Sequence, residues 1–269
     1  MSDPDAVAVT VPTDYVGGLF DLSGKVTLIT GGASGLGEAI AVGFADCGAE
    51  VTFLDVDAAR AERLVAATAE QGRRLRFIEA DVTSREDMES AVAEVLAAHG
   101  HIDILVNCAG TAARHPAEDF PDEVWERVVR LNLWGTFLSC QIVGRTMIQR
   151  GRGAIVNMAS IGGSRAYPET TAYLQSKGGV IQMTRSLALE WIRHGVRVNA
   201  LAPSIFETPL VLASDRKRSY TSEFIAARTP IDRRGLPREI VGPAIFLASD
   251  AASMVTGHIL SVDGGYLCV

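Results

Sequence analysis

The run Lys25-Val26-Thr27-Leu28-Ile29-Thr30-Gly31-Gly32-Ala33-Ser34-Gly35-Leu36-Gly37 decides how the rest of the chain reads. Its first six residues are apolar and β-branched and end in glycines, the pattern of a short buried strand. Residues 38–47 carry a helical pattern, with Gly48 in the stop position. Glycines between a strand and a helix serve three ends: a tight turn, close approach of backbone to a pyrophosphate, and close helix–strand packing. The helix behind the turn offers free N–H groups and a partial positive charge. A glycine run alone is weak evidence and is commonly just a flexible turn. Strand before and helix after make this one a dinucleotide-binding turn, with Gly31, Ser34, Gly35, Leu36 and Gly37 as candidate contacts.

The pattern repeats outward from that turn. Residues 50–54 read as a second strand ending at Asp55, and 58–71 as a helix rich in Ala, Glu and Leu. A third strand over 75–79 leads through Asp81, Val82 and Thr83 to Ser84, with Asp87 three residues on. That pair resembles a capping start for a helix through Ala98. A fourth strand over 102–106 exits at Asn107–Gly110. One long helix is expected over 122–149, a fifth strand over 153–158, a helix over 171–193 and a sixth strand over 196–200. Residues 203–232 are irregular with short helical pieces, 238–247 are helical, and 259–262 form the last strand. Strands alternating with helices imply right-handed crossovers and a parallel sheet covered on both faces. No composition shift or linker interrupts this. The chain therefore reads as an N-terminal arm over 1–22 and one domain over 23–269, with a substrate lid at about 204–232.

Composition narrows the class. The chain has 269 residues, nearly half of them apolar, with 26 glycines and a net charge of −7. No basic block is present, which argues against general nucleic-acid binding and against an anionic membrane surface. No apolar run reaches the length of a membrane-spanning helix, and the N-terminus lacks the charged-then-apolar pattern of a secretory signal. Cys47, Cys108, Cys140 and Cys268 show no CxxC spacing and read as reduced residues of a cytoplasmic protein. The histidines do not cluster at metal-ligand spacing, so no catalytic metal is expected.

The stretch SIGGSRAYPETTAYLQSK, Ser160 to Lys177, carries the chemistry. Tyr173 and Lys177 are four apart and share one helix face. An ammonium beside a phenol favours the phenolate and draws the phenol below its usual value of about 10. Such a tyrosine can exchange a proton with an alcohol near neutral pH. Ser160, from a different element, can offer its hydroxyl to the same oxygen. By itself a Y-x-x-x-K pair is most often a surface helix pair. Asp55, about eighteen residues past Gly37, can accept hydrogen bonds from an adenosine ribose diol and would repel a 2′-phosphate. No Arg or Lys in the turn or directly after Asp55 offsets that, which favours NAD over NADP. The plain alternative is a helix-capping aspartate.

Together, TGGASGLG at 30–37, Asp81-Val82, NCAG at 107–110, Asn132 in LNLWG, Ser160, YLQSK at 173–177 and Pro203 through Thr208 resemble the short-chain dehydrogenase/reductase family. They occur in order and span nearly the whole chain. The resemblance implies a Rossmann-type, doubly wound α/β fold with about seven parallel strands, a nicotinamide cofactor without metal, and a homotetramer. It implies Tyr173 as general acid/base and Lys177 as the group that lowers its pKa and holds the nicotinamide ribose. Ser160 would bind the substrate oxygen, and Asn132 would hold a water of a proton relay. It further implies Asp81 and Val82 at the adenine, Asn107, Ala109 and Gly110 along the cofactor, and Pro203, Phe206 and Thr208 at the carboxamide end. Two positions depart from the family pattern. Cys108 stands for a usual Asn, and Ser204 for a usual Gly, so the 203–208 loop is expected to take a different path.

The substrate is less legible. Loops over 111–120, 161–171 and 204–220 hold Arg114, His115, Glu118, Arg165, Glu169 and Glu207, with few large apolar residues. Each is individually an ordinary solvated residue; as a set they favour a polyhydroxy molecule over a steroid or acyl chain. Arg216, Lys217 and Arg218 read as a solvated face of the lid. LFDLSGKV, RGRGAIVNMASIGG, LALEWIRHGVRVNALAP and VTGHILSVDGGYL resemble sugar-alcohol and sugar-acid dehydrogenases, of the galactitol, threitol and gluconate kinds. The expectation is NAD-dependent oxidation of a small polyol. Gluconate 5-dehydrogenase-like chemistry is the runner-up, followed by 3-oxoacyl-carrier-protein reduction. A non-catalytic NAD-binding protein is the remote alternative.

Overall fold

Strand β1, Val26–Thr30, is buried along its whole length, so both of its faces need cover. Its neighbours supply that cover. β2 spans Glu50–Asp55, β3 Leu75–Glu79, β4 Ile104–Asn107, β5 Gly153–Met158, β6 Val196–Pro203 and β7 Ile259–Val262. All pair in parallel, in the order β3-β2-β1-β4-β5-β6-β7. The structure, a computed structural model, describes residues 14–215 and 228–269. The helices are α1 (Tyr15–Leu19), α2 (Gly35–Asp46), α3 (Ala58–Ala69), α4 (Arg85–His99), α5 (Asp122–Val129), α6 (Thr136–Arg150), α7 (Thr171–Trp191), α8 (Pro209–Asp215) and α9 (Val241–Ala248).

Successive strand residues point to opposite faces, and the two cores follow that alternation. Ile29, Val106 and Val156 pack with Ile40, Phe44, Ala244 and Leu247 on one side. Their chain neighbours Leu28, Leu105 and Ile155 pack with Met88, Val92, Leu138 and Leu187 on the other. The order of strands reverses between β1 and β4, and the cleft at their C-terminal ends is where an open sheet of this kind takes ligands.

The helix starts are chemically legible. Ser84 caps α4 by accepting from the Asp87 N–H at 3.2 Å, as expected. Asp57 caps α3, accepting from Arg60 N–H at 3.0 Å. That role therefore does not fall to Asp55. Among the described residues no helix is long and apolar enough to cross a membrane, and no His/Cys/Asp/Glu group has the make-up of a metal site.

Three expected elements differ. The helix placed at 38–47 begins at Gly35, so its first turn lies inside the glycine-rich run. Strand β6 continues past 200 to Pro203 because β7 pairs with its end, Ala200 to Ile259 through Pro203 to Val262. The single helix placed at 122–149 is broken at Arg130–Gly135 by a π-helical segment. Thr136 Oγ1 donates to Asn132 O at 2.7 Å and Ser139 Oγ to Gly135 O at 2.8 Å, across the widened turn. The short helical pieces expected over 203–232 are met at one point by α8; Arg216, Lys217 and Arg218 lie outside the described residues.

At the opposite ends of the strands, Asp103 ties the sheet together. Its buried carboxylate accepts from Val26 N–H at 3.0 Å and Arg150 Nη1 at 2.6 Å, with His101 Nε2 at 3.1 Å. Burial pushes its pKa up, but the Arg150 and Val26 hydrogen bonds and the nearby cations outweigh this and leave it lowered. A carboxyl with a lowered folded-state pKa adds stability above its unfolded value, and that stability is lost as the pH falls through the folded one. Asp103→Ala should cost about 2–4 kcal/mol at neutral pH in urea titrations. The difference from wild type should shrink as the pH drops below about 4.

Candidate active site

The turn after β1 presses on the exit of β4. A Cβ on Gly31 would stand 2.6 Å from Ala109 Cα, and one on Gly37 would stand 2.1 Å from Gly31 O. No side chain fits at either place, so backbone lines the cleft directly. Ser34 precedes α2 without a side-chain bond to the helix N–H groups. Those groups and the positive end of a three-turn helix are thus left for an anion. A dinucleotide's pyrophosphate fits this cradle.

One cleft gathers most of the expected contacts. It is lined by Gly31, Ser34, Gly35, Leu36, Gly37, Asp55, Asp81, Val82, Ala109, Gly110, Tyr173, Lys177 and Thr208. Asp55 Oδ2 accepts from Ala33 N–H at 3.0 Å and Oδ1 from Asp57 N–H at 3.1 Å. Asp55 therefore anchors the glycine-rich turn to β2, and each oxygen keeps a lone pair for a further donor. Three expected cofactor contacts are not in the cleft wall, and neither are the expected catalytic residues Asn132 and Ser160. Asn107 is buried, its Nδ2 donating to Asn157 Oδ1 at 2.9 Å and Cys140 Sγ at 3.2 Å. Phe206 turns its ring into the core against Gly235. Pro203 ends β6. Ser204 is not in the left-handed region, so the missing glycine imposes no strain there.

At the inner end of the cleft, Lys177 is buried, and its ammonium donates to Met158 O at 2.7 Å. Nζ lies 5.8 Å from the centroid of the Tyr173 ring. Burial pulls the Lys177 pKa down to about 8. The sequence led to an expectation that Lys177 would lower the Tyr173 phenol. Burial instead raises it, opposed by a hydrogen bond with Ser160. Ser160 Oγ also accepts from Gly162 N–H at 3.0 Å, which holds the serine in place.

Asn132 sits in the π-helical segment with its side chain fully engaged. Oδ1 accepts from Thr111 N–H at 2.8 Å, and Nδ2 donates to Thr111 O at 2.9 Å and Ser176 Oγ at 3.0 Å. Both amide protons are spent, so a water held by this side chain would donate to Oδ1, which keeps one lone pair beside the Thr111 bond. Sequence reasoning passed over Thr111, Ser176 and the Met158 carbonyl. Backbone groups leave no residue-type signal, and Ser176 is marked only by lying next to Lys177. Cys108, which stands where the family pattern has Asn, lines the cleft near Lys177, with burial raising its thiol to about 12. Asn132→Ala removes the partner of the part-buried Thr111 N–H and C=O and should lower stability by about 1–2 kcal/mol in chemical denaturation.

Known proteins match this arrangement. A family model described as Enoyl-(Acyl carrier protein) reductase matches residues 31–267. An NAD-dependent glycerol dehydrogenase of Listeria innocua is 41% identical over 247 residues, covering 92% of this chain and 95% of the relative. A galactitol 2-dehydrogenase (L-tagatose-forming) of Cereibacter sphaeroides is 44% identical over 251 residues, 92% and 97% of the two chains. The crystal structure of a gluconate 5-dehydrogenase from Burkholderia cenocepacia, in complex with NADP and tartrate, superposes with a TM-score of 0.88 at 37% identity, covering 94% and 98%. With this sheet, this cleft and these relatives, the chain belongs to the short-chain dehydrogenase/reductase family and is an oxidoreductase acting on the CH–OH group of an alcohol or its ketone.

Proposed function

We propose that the chain interconverts a secondary alcohol and a ketone on a small polyol, using NAD and the side chains of Ser160, Tyr173 and Lys177. The observation that carries this is that Tyr173 and Lys177 line the same cleft as the uncapped start of α2, with Ser160 hydrogen-bonded to Tyr173 behind them. When bound, oxidised nicotinamide supplies the acceptor for the hydride, with its electron pair, that leaves the alcohol carbon. The rest falls to the protein. Ser160 Oγ and the Tyr173 oxygen flank the substrate oxygen. Tyr173 as phenolate takes the hydroxyl proton as the C=O bond forms; as phenol it returns that proton in reduction. Lys177 keeps positive charge beside the ring, opposing the effect of burial. Asn132 holds the 110–111 backbone and, through Oδ1, supports the water by which Tyr173 and Lys177 exchange protons with solvent.

Asp55 supports NAD, since its carboxylate would face a 2′-phosphate at the end of β2. The glycerol dehydrogenase is named NAD-dependent, whereas the gluconate 5-dehydrogenase was crystallised with NADP, so the cofactor rests on Asp55. That second relative favours a sugar acid as the alternative substrate. A homotetramer is proposed on the family pattern; the exposed Leu189, Ile192 and Met254 are apolar surface of the kind a partner subunit covers.

Tyr173→Phe should lower kcat at least about a hundredfold with NAD affinity little changed, read from NADH formation and from fluorescence titration. Near-normal turnover would remove the acid/base assignment. Because burial raises the Tyr173 phenol, only a minor fraction is ionised at neutral pH. Wild-type oxidation, which uses the phenolate, should therefore speed up between about pH 7 and 9, while reduction, which uses the phenol, should change little. Asp55→Asn keeps an acceptor for one backbone N–H and removes the charge. It should shift the NAD-to-NADP ratio of kcat/KM by about tenfold or more towards NADP; an unchanged ratio would show that another group selects the cofactor.

A further inference from the structure

Beside the reacting hydroxyls lies a small apolar cluster separate from the two main cores. Ile161 and Tyr266 are its buried members, and Tyr167, Ile205 and Leu267 pack against it. It joins the loop between Ser160 and Tyr173, the strand exit at 204–206 and the C-terminal segment. Its one anomaly is polar. The Tyr167 hydroxyl is buried and makes no hydrogen bond of acceptable geometry among the described residues. Burial, and next a poorly aligned contact with the Tyr266 hydroxyl, raise its pKa. The two rings are 6.2 Å apart.

A buried hydroxyl without a good partner is costly, and folding alone gives no reason to keep it: phenylalanine would fill the same space. Its position supplies a reason. The point where a Cβ on Gly162 would stand is 3.4 Å from Ser160 Oγ and 3.6 Å from Tyr167 Cε2. The Tyr167 ring edge beside the hydroxyl and Ser160 Oγ thus flank one point over Gly162 and lie no more than about 7 Å apart, a gap that one substrate carbon and its hydroxyl can span. Tyr173 is also close enough to act electrostatically on Tyr167. Tyr266, which encloses the hydroxyl, is carried on the corner Gly264-Gly265, both left-handed at φ 61° and 88°. It is held by the C-terminal segment rather than by the sheet.

We infer that the Tyr167 hydroxyl is a specificity-determining group that hydrogen-bonds a substrate hydroxyl on the carbon adjacent to the reacting one, displacing the weak Tyr266 contact. The preferred substrates are then vicinal diols and α-hydroxyketones rather than simple alcohols and ketones. This rests on the alcohol/ketone reading of Ser160 and Tyr173, and deepens it: the cleft distinguishes a polyol by its second hydroxyl, with an apolar wall around that contact. The principle is that a site built to bond a hydroxyl discriminates strongly against the analogue that lacks it.

The test is Tyr167→Phe, assayed with one ketone pair and one alcohol pair whose members differ by one oxygen, hydroxyacetone against acetone and 1,2-propanediol against 2-propanol. In wild type the hydroxylated member should have the higher kcat/KM. The substitution should lower it about ten- to hundredfold for hydroxyacetone and 1,2-propanediol while leaving acetone and 2-propanol unchanged. The melting temperature should not fall, because no good hydrogen bond is lost. Equal losses on both members, or a lowered melting temperature with unchanged selectivity, would assign the hydroxyl to structure and overturn the inference. Wild-type turnover of both pairs without preference would overturn it as well, leaving the alcohol/ketone chemistry intact. Failure of the polyol reading is separately visible, as wild-type turnover that Tyr173→Phe does not diminish.

Discussion

The molecule depends on a close approach of two backbones. The turn after β1 and the exit of β4 meet where Gly31 lies against Ala109, and α2 starts by packing Gly37 on the Gly31 carbonyl. A side chain at either glycine would push the helix off the sheet. Because the contact is that tight, the first turn of α2 points its N–H groups into the cleft rather than at a capping side chain. Asp55 then fastens the turn to β2 through Ala33. The place where strand order reverses is thereby shaped for a phosphate-bearing ligand by main chain alone.

The other half of the site is built by long side chains crossing between elements. Lys177 reaches from α7 to the last carbonyl of β5, at Met158. Asn132 reaches from the π-helical segment to the strand exit at Thr111 and to Ser176 on α7. Burial is the shared cost: it lowers the lysine's pKa and raises the tyrosine's, and each shift favours the neutral form. Groups poised this way change protonation readily when a charged ligand or a substrate oxygen enters, which suits proton exchange with an alcohol. The widened turn at Arg130–Gly135 carries Asn132, and its carbonyl accepts the Thr136 hydroxyl across that turn.

The substrate side is made from irregular segments, and the balance of forces there differs. Sheet and helices place Ser160 and Tyr173. The 161–170 loop and the C-terminal segment pack on each other beside Ser160, meeting at Tyr167 and Tyr266. Glu169, in this loop, holds a left-handed backbone conformation, φ 63°, and its carbonyl accepts from His115 N–H at 2.9 Å. A left-handed non-glycine residue is held here by a bond from another loop, so the conformation of this segment depends on its tertiary partner.

The fold was legible in the sequence because its signals are local. Alternation of apolar runs with amphipathic ones gave the seven strands, and the capping pair Ser84–Asp87 and the glycines gave their boundaries. The candidate chemistry was legible for the same reason: Tyr173 and Lys177 share a helix face four residues apart. What required the tertiary structure was everything set by distance across the sheet. The sequence pointed Asn107 and Phe206 at the cleft, yet packing turned their side chains into the core. It implied a lowered Tyr173 phenol from its neighbour's charge, yet burial raised it. Residue type and spacing determine which groups a chain carries and which face of an element bears them. Burial and the partners brought from distant segments determine the protonation state of each group and which ones a ligand can touch.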